Sequence, residues 1–196
     1  MKKGTLITLV VLAAIALVVI WGFGQYNNLV TQEESVESAW SQVENQYQRR
    51  LDLVPNLVNT VKGYAAHEQN TFTAVVEART KATSIQLNVN DLSEENLKAF
   101  ENAQNELSSA LGRLIAISEA YPELKANENF LKLQDQLEGT ENRITVARNA
   151  FNEAARSYNT MVRRFPANII AGICGFSKKP YFEAAEGAEK APAVEF

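Results

Sequence analysis

FLKLQDQLEGTENRITVARNAFNEAARSYNTMVRRF, residues 130–165, is the stretch on which the fold class turns. Within it Phe130, Leu133, Leu137, Thr140, Ile144, Ala147, Phe151, Ala154, Tyr158, Met161 and Phe165 follow one another at steps of three and four. All but Thr140 are apolar, and the steps never break. A strand would return a side chain to the same face every second residue. Steps of three and four belong instead to the seam of a long helix packed at a shallow angle on its neighbours.

The segments upstream repeat the pattern less regularly. Val36, Trp40, Val43, Tyr47, Leu51 and Val54 form one row, and Leu57, Val61, Tyr64, Phe72 and Val75 form a second. Leu97, Phe100, Ala103, Leu107, Leu111 and Leu114 form a third. Residues 56–121 and 123–165 contain no proline, as long helices require. NVNDLSEEN at 88–96 reads as a turn with Asp91 as N-cap and Glu94 completing a capping box. Pro122 pushes Tyr121 out of helical geometry and makes a second turn near 121–127. Pro55 has helical periodicity on both sides, which predicts a kink or short break in a helix running on from the one before it. Short loops make neighbouring helices antiparallel.

At the other end, TLITLVVLAAIALVVIWGF, residues 5–23, carries no charge. As a helix it spans about 28 Å, near the roughly 30 Å of a hydrocarbon core. It exceeds the apolar region of a cleaved signal peptide, so a retained anchor is the better reading. Trp21, Phe23 and Tyr26 supply aromatic residues at its downstream edge. Lys2 and Lys3 precede it, and no basic residue follows until Arg49. That bias predicts a cytoplasmic N-terminus and a bundle outside, on the far side of the cytoplasmic (inner) membrane. The expected organisation is a short basic start (1–4), an anchor (5–25), a helical bundle domain (26–166), an apolar and aromatic segment (167–182) and a disordered tail (183–196). The segment 167–182 either caps the bundle end or lies at the lipid interface.

Composition excludes several classes. The 196 residues carry a net charge of −4, from 19 basic and 23 acidic side chains, which argues against binding driven by nucleic-acid phosphates. A single cysteine excludes an internal disulfide, and a single histidine excludes paired-histidine metal or acid–base sites. No glycine-rich phosphate loop, HExxH or GxSxG is present. His67 is expected to face solvent, and Cys174, in an apolar stretch without a nearby histidine, to be a buried inert thiol. Neither a catalytic residue nor a cofactor, metal or small-molecule substrate is inferred.

Two polar features remain as candidate interaction surfaces. RRLDLVPNLV at 49–58 offers Arg49, Arg50, Asp52 and Asn56 at a corner, with Arg49 and Asp52 spaced to pair on a helix surface. Its alternative is a kink stabilised by local pairs. The second lies on the last long helix, opposite its seam: Glu138, Asn142, Thr145, Asn149, Asn152, Arg156, Asn159 and Arg163. Asparagine is a poor helix former, so its repetition here fits a wet polar interface with a protein partner or a second copy, against the plainer reading of a solvated face.

YNNLV (26–30), RRLDLVPNLVNTVKGYA (49–65), YPELKANENF (121–130), LEGTENRI (137–144), ARNAFN (147–152), YN (158–159) and FP (165–166) together resemble the LemA family of bacterial membrane proteins. The resemblance covers nearly the whole chain and implies one N-terminal transmembrane helix, a helical bundle and a place in the cell envelope. It carries no catalytic residues to assign. The combined expectation is an all-α protein in which the anchor precedes an antiparallel four-helix-bundle-like domain of long helices. Its expected role is that of a non-catalytic membrane scaffold binding proteins or itself, the alternative being a membrane-shaping or lipid-binding protein.

Overall fold

The computed structural model describes residues 3–183, and every regular element in them is helical. Helix α1 runs Lys3–Lys62, α2 Gln69–Ser84, α3 Glu94–Ala116, the single-turn α4 Pro122–Lys125, α5 Glu128–Arg163 and α6 Ala167–Cys174. Two 3-10 turns occupy Val89–Asp91 and Ile117–Ala120. The expected tail, apart from Glu183, and the first two residues of the expected basic start lie outside the described residues. The rest divide into two compact units, residues 3–50 with 139–179 and residues 51–138 with 180–183.

In the first unit, α1 begins with an apolar stretch that no described residue buries. Leu6 through Ile20 are exposed, and only Gly22 and Gln25 are partly covered before Leu29. The helix is long and apolar enough to cross a membrane, and none of its apolar window is buried within the protein. From Leu29 onward the same helix packs. Leu29, Val36, Trp40, Val43 and Tyr47 are buried, as are Ile144, Ala147, Phe151, Ala155 and Tyr158 of α5. The Trp40 and Phe151 rings meet edge to face, 5.5 Å apart at 65°. The seam drifts by one position along α5: Ala155 is fully buried and Ala154 only half. A real α-helix gains about 20° per heptad on a strict 3.5-residue repeat, which moves the buried row in this direction. Phe165, the expected last seam residue, is instead 76% exposed.

The second unit has a continuous apolar core. Leu51, Val54, Leu57 and Val61 of α1 meet Phe72, Val75, Ala78 and Ala82 of α2, Leu107, Ala110, Leu111 and Leu114 of α3, and Phe130 and Leu137 of α5. Tyr64, expected in this row, is exposed and serves a different purpose. Its hydroxyl accepts from Asn127 Nδ2 at 2.8 Å, while Asn127 Oδ1 accepts the Phe130 N–H at 3.0 Å and so caps α5. Tyr121 takes the non-helical geometry that Pro122 demands, at φ −126° and ψ 88°. The cap of α3 corrects the expectation: Ser93, not Asp91, accepts the Asn96 N–H, at 3.1 Å. Asp91 is taken up by the 3-10 turn, and its carbonyl accepts from Asn96 Nδ2.

Pro55 neither breaks nor ends α1. A proline has no N–H, so the carbonyl four residues back, that of Leu51, loses its intrahelical donor. Arg79 of α2 supplies one, its Nε donating to the Leu51 carbonyl at 3.1 Å. Replacing Arg79 with alanine is expected to destabilise the detergent-solubilised chain by about 1–3 kcal/mol, the cost of an orphaned partly buried carbonyl. In a Pro55→Ala background the restored backbone N–H serves Leu51, and the cost of Arg79→Ala should fall by at least half. A double-mutant cycle of thermal unfolding measures the difference.

Candidate functional site

The 49–58 corner separates into buried and exposed members. Arg50 is only 2% exposed, so it is not presented to a partner as the sequence suggested. Its Nη1 donates to Glu141 Oε1 at 2.9 Å, and its guanidinium lies 5.0 Å from the centre of the Tyr47 ring. The reason is visible in the spacing: 36, 40, 43, 47, 50 and 54 also follow at steps of three and four. Arg50 therefore shares the packed face with Leu51, which is buried as well. A cation at such a position needs a carboxylate, and removing one partner of a buried pair costs about 3–5 kcal/mol, less where the other stays wet as Glu141 does. Arg49, Asp52 and Asn56 are exposed.

The asparagine stripe separates in the same way. Asn142, Asn149 and Arg156 are exposed, Asn152 is half-buried, and Asn159 is buried. Asn159 therefore does not belong to an outer face. The chain that leaves α6 returns over it. Asn159 Oδ1 accepts the Lys179 N–H and Asn159 Nδ2 donates to the Lys179 carbonyl, both at 2.8 Å. Helical spacing describes which face a residue occupies, but says nothing of a segment arriving from 20 residues downstream. Lys179 is pinned a second time by its Nζ, 3.0 Å from Glu33 Oε1. Its ammonium also lies 5.9 Å from the Tyr158 ring centre.

Two surface cavities accompany these residues. An amide-rich groove of about 360 Å³ runs past Gln42, Asn45, Gln46, Asn142 and Arg143, with Val146 beside it 68% exposed. A second cavity, of about 530 Å³, lies between Trp21–Gln32 of α1 and Ser157–Ala167. Helix α6 turns Ala167 and Ala171 inward and leaves Ile169 and Ile173 outside. It closes at Gly175, whose φ of 81° lets both Gly175 and Phe176 donate to the Ala171 carbonyl. Cys174 is exposed, not buried as expected, because α6 faces inward through its two alanines and carries the thiol to the rim. His67 is exposed as expected. Among the described residues no three His, Cys, Asp or Glu side chains converge to hold a metal ion.

A membrane-length apolar helix continuous with packed helices defines a membrane-associated all-helical protein. The chain belongs to the LemA family, which it matches over residues 39–196. It is 30% identical to magnetosome protein MamQ 2 of Paramagnetospirillum magneticum over 176 residues, 81% of this chain and 65% of that protein. It is 29% identical to magnetosome protein MamQ of Magnetospirillum gryphiswaldense over 81% of this chain and 64% of that one. Protein LemA of Metamycoplasma hominis is 24% identical over 83% of this chain and 71% of its own length. The chain thus spans about two thirds of the length of the magnetosome relatives.

Two tests follow from the clamp. Asn159→Ala removes both bonds to Lys179 and should raise hydrogen exchange across residues 175–183 at least tenfold, with α1 and α5 unchanged. Tyr158 is fully buried, with the Glu33 carboxylate beside its hydroxyl. Burial, with the nearby Glu33 carboxylate adding to it, pushes its phenol up to about 12. Because the folded state holds this proton more tightly than the unfolded chain, the contribution is intact below pH 10 and declines from pH 10 through 12. Tyr158→Phe should match the wild type at pH 8 and lose about 2 kcal/mol less by pH 12.

Proposed function

We propose that this chain is a non-catalytic, membrane-anchored scaffold of the bacterial cell envelope. Its first helix crosses the cytoplasmic membrane once, with the N-terminus inside. The remaining helices form an antiparallel four-helix-bundle-like domain on the outer side, which binds other proteins or a second copy of itself. Confining the domain to the membrane surface raises the effective concentration of its partners. Contacts of Arg50 with Glu141 and of Trp40 with Phe151 support the antiparallel sense, since one number rises as the other falls. Membership of the LemA family and similarity to the magnetosome proteins support a membrane-associated role without catalysis for this chain.

The observation that carries the partner surface is Asn159. Within the molecule it grips a non-helical backbone residue in both directions, as donor and as acceptor. Asn142 and Asn149, two helical turns apart, hold the same amide out to solvent, with exposed Val146 between them. They offer an extended segment of a partner the grip that Lys179 receives at home, with Gln42 and Asn45 lining the adjoining groove. Arg49 of α1 and Arg156 of α5 are exposed on the two helices that carry these amides and would border such contacts.

A photo-crosslinking residue in place of Val146, in the full chain in native membranes, should yield discrete protein adducts. The Asn142→Ala/Asn149→Ala pair should reduce them at least fivefold with helicity unchanged. Absence of adducts, or adducts indifferent to the pair, overturns this surface.

A further inference from the structure

We propose that the 530 Å³ cavity between α1 and the α5–α6 corner seats an anionic phospholipid drawn from the bilayer around the anchor. The inference rests on α1 crossing a membrane. On α1 the cavity wall is Trp21, Gln25, Asn28 and Gln32, one helical face at steps of four, three and four. It starts inside the uncharged run at Trp21 and rises about 16 Å to Gln32, beyond that run, at 1.5 Å per residue. Since residue numbers rise on α1 as they fall on α5, Ser157 lies toward Gln32, and Phe165 and Pro166 lie toward Trp21. The cavity is therefore apolar at its foot, around Trp21, Phe165 and Pro166, with Arg164 directly above that foot and amides and hydroxyls rising toward its head. That gradient has the polarity and direction of a lipid standing in its leaflet.

Charge selects the headgroup. Arg164 lines the cavity, is exposed, and forms no ion pair with any described residue. No aspartate or glutamate lines the cavity. The nearest carboxylate along α1, Glu33, is already held by Lys179. A guanidinium beside the Ser157 hydroxyl and the amides of Gln25, Asn28 and Gln32 is the donor set a phosphate takes, the Thr160 hydroxyl being spent on the Arg156 carbonyl.

Depth selects the source. Ile170 and Cys174 of α6 share an apolar groove with Val19, Phe23 and Tyr26, so α6 lies alongside the last turns of the anchor. Its outward Ile173 is 77% exposed, and Phe165 at the cavity foot 76%. Beside a membrane-spanning helix those side chains face lipid, and the cavity mouth opens at the headgroup layer. The volume suits a headgroup and glycerol, with the acyl chains left in the bilayer.

The test uses the full chain in nanodiscs of phosphatidylcholine with a minor share of phosphatidylglycerol, released and weighed by native mass spectrometry. The expected result is one retained phosphatidylglycerol per chain, lost at least tenfold in Arg164→Glu and in the milder Arg164→Gln. Arg163→Glu, the same charge change one residue outside the cavity, should retain it to within about threefold; circular dichroism checks that each variant is folded. Equal retention of phosphatidylcholine, or equal loss in Arg163→Glu and Arg164→Glu, overturns the site while leaving the anchor standing. A chain that does not enter the nanodiscs, and is stripped from vesicles by alkaline carbonate, overturns the anchor and the site together.

Discussion

The carbonyl of Leu51 is the point on which α1 depends. A proline at position 55 withdraws the hydrogen bond that the carbonyl four residues earlier should receive, and most helices end or bend there. Here the missing donor arrives from another helix, through Arg79 Nε. The apolar row of Leu51, Val54, Leu57 and Val61 then continues on one helix face into the core shared with α2, α3 and α5. Without that donor, the chain must either fray at residues 51–55 or bury an unsatisfied acceptor. Sequence periodicity on both sides of Pro55 foretells that the helix resumes. Only the fold identifies Arg79, 28 residues away, as what lets it continue unbroken.

This division between what was legible in the sequence and what was not recurs through the molecule. Every apolar position expected on α3 is buried, as are Val36, Trp40, Val43 and Tyr47, because helical period alone determines which side chains share a face. Arg50 is legible in the same way: it falls on the steps of the seam, and a cation there calls for a carboxylate opposite. Its partner Glu141 is 91 residues away, beyond any local pattern. Ser93 competes with Asp91 for the same cap and wins because it stands directly before the first helical residue, where the side chain reaches the N–H of the third. Phe165 and Cys174 are both exposed where helical spacing alone predicts cover, Cys174 because α6 faces inward through Ala167 and Ala171 and so carries the thiol to the rim.

Asn159 shows why an asparagine, and not a better helix former, occupies a position on a long helix. The segment after α6 has no regular structure up to Glu183, so its backbone groups have no ladder or helix to satisfy them. Where that segment is buried at Lys179, one side chain must supply both an acceptor for its N–H and a donor for its carbonyl. A carboxylate offers only acceptors and an ammonium only donors, whereas a carboxamide offers both in one plane. The low helix propensity of asparagine costs a few tenths of a kcal/mol, and two buried hydrogen bonds outweigh it several times over. Asn142 and Asn149 carry the same cost with no described segment of this chain lying over them, since both remain exposed. The chemistry that accounts for Asn159 is thus the chemistry that an interface on that face would use.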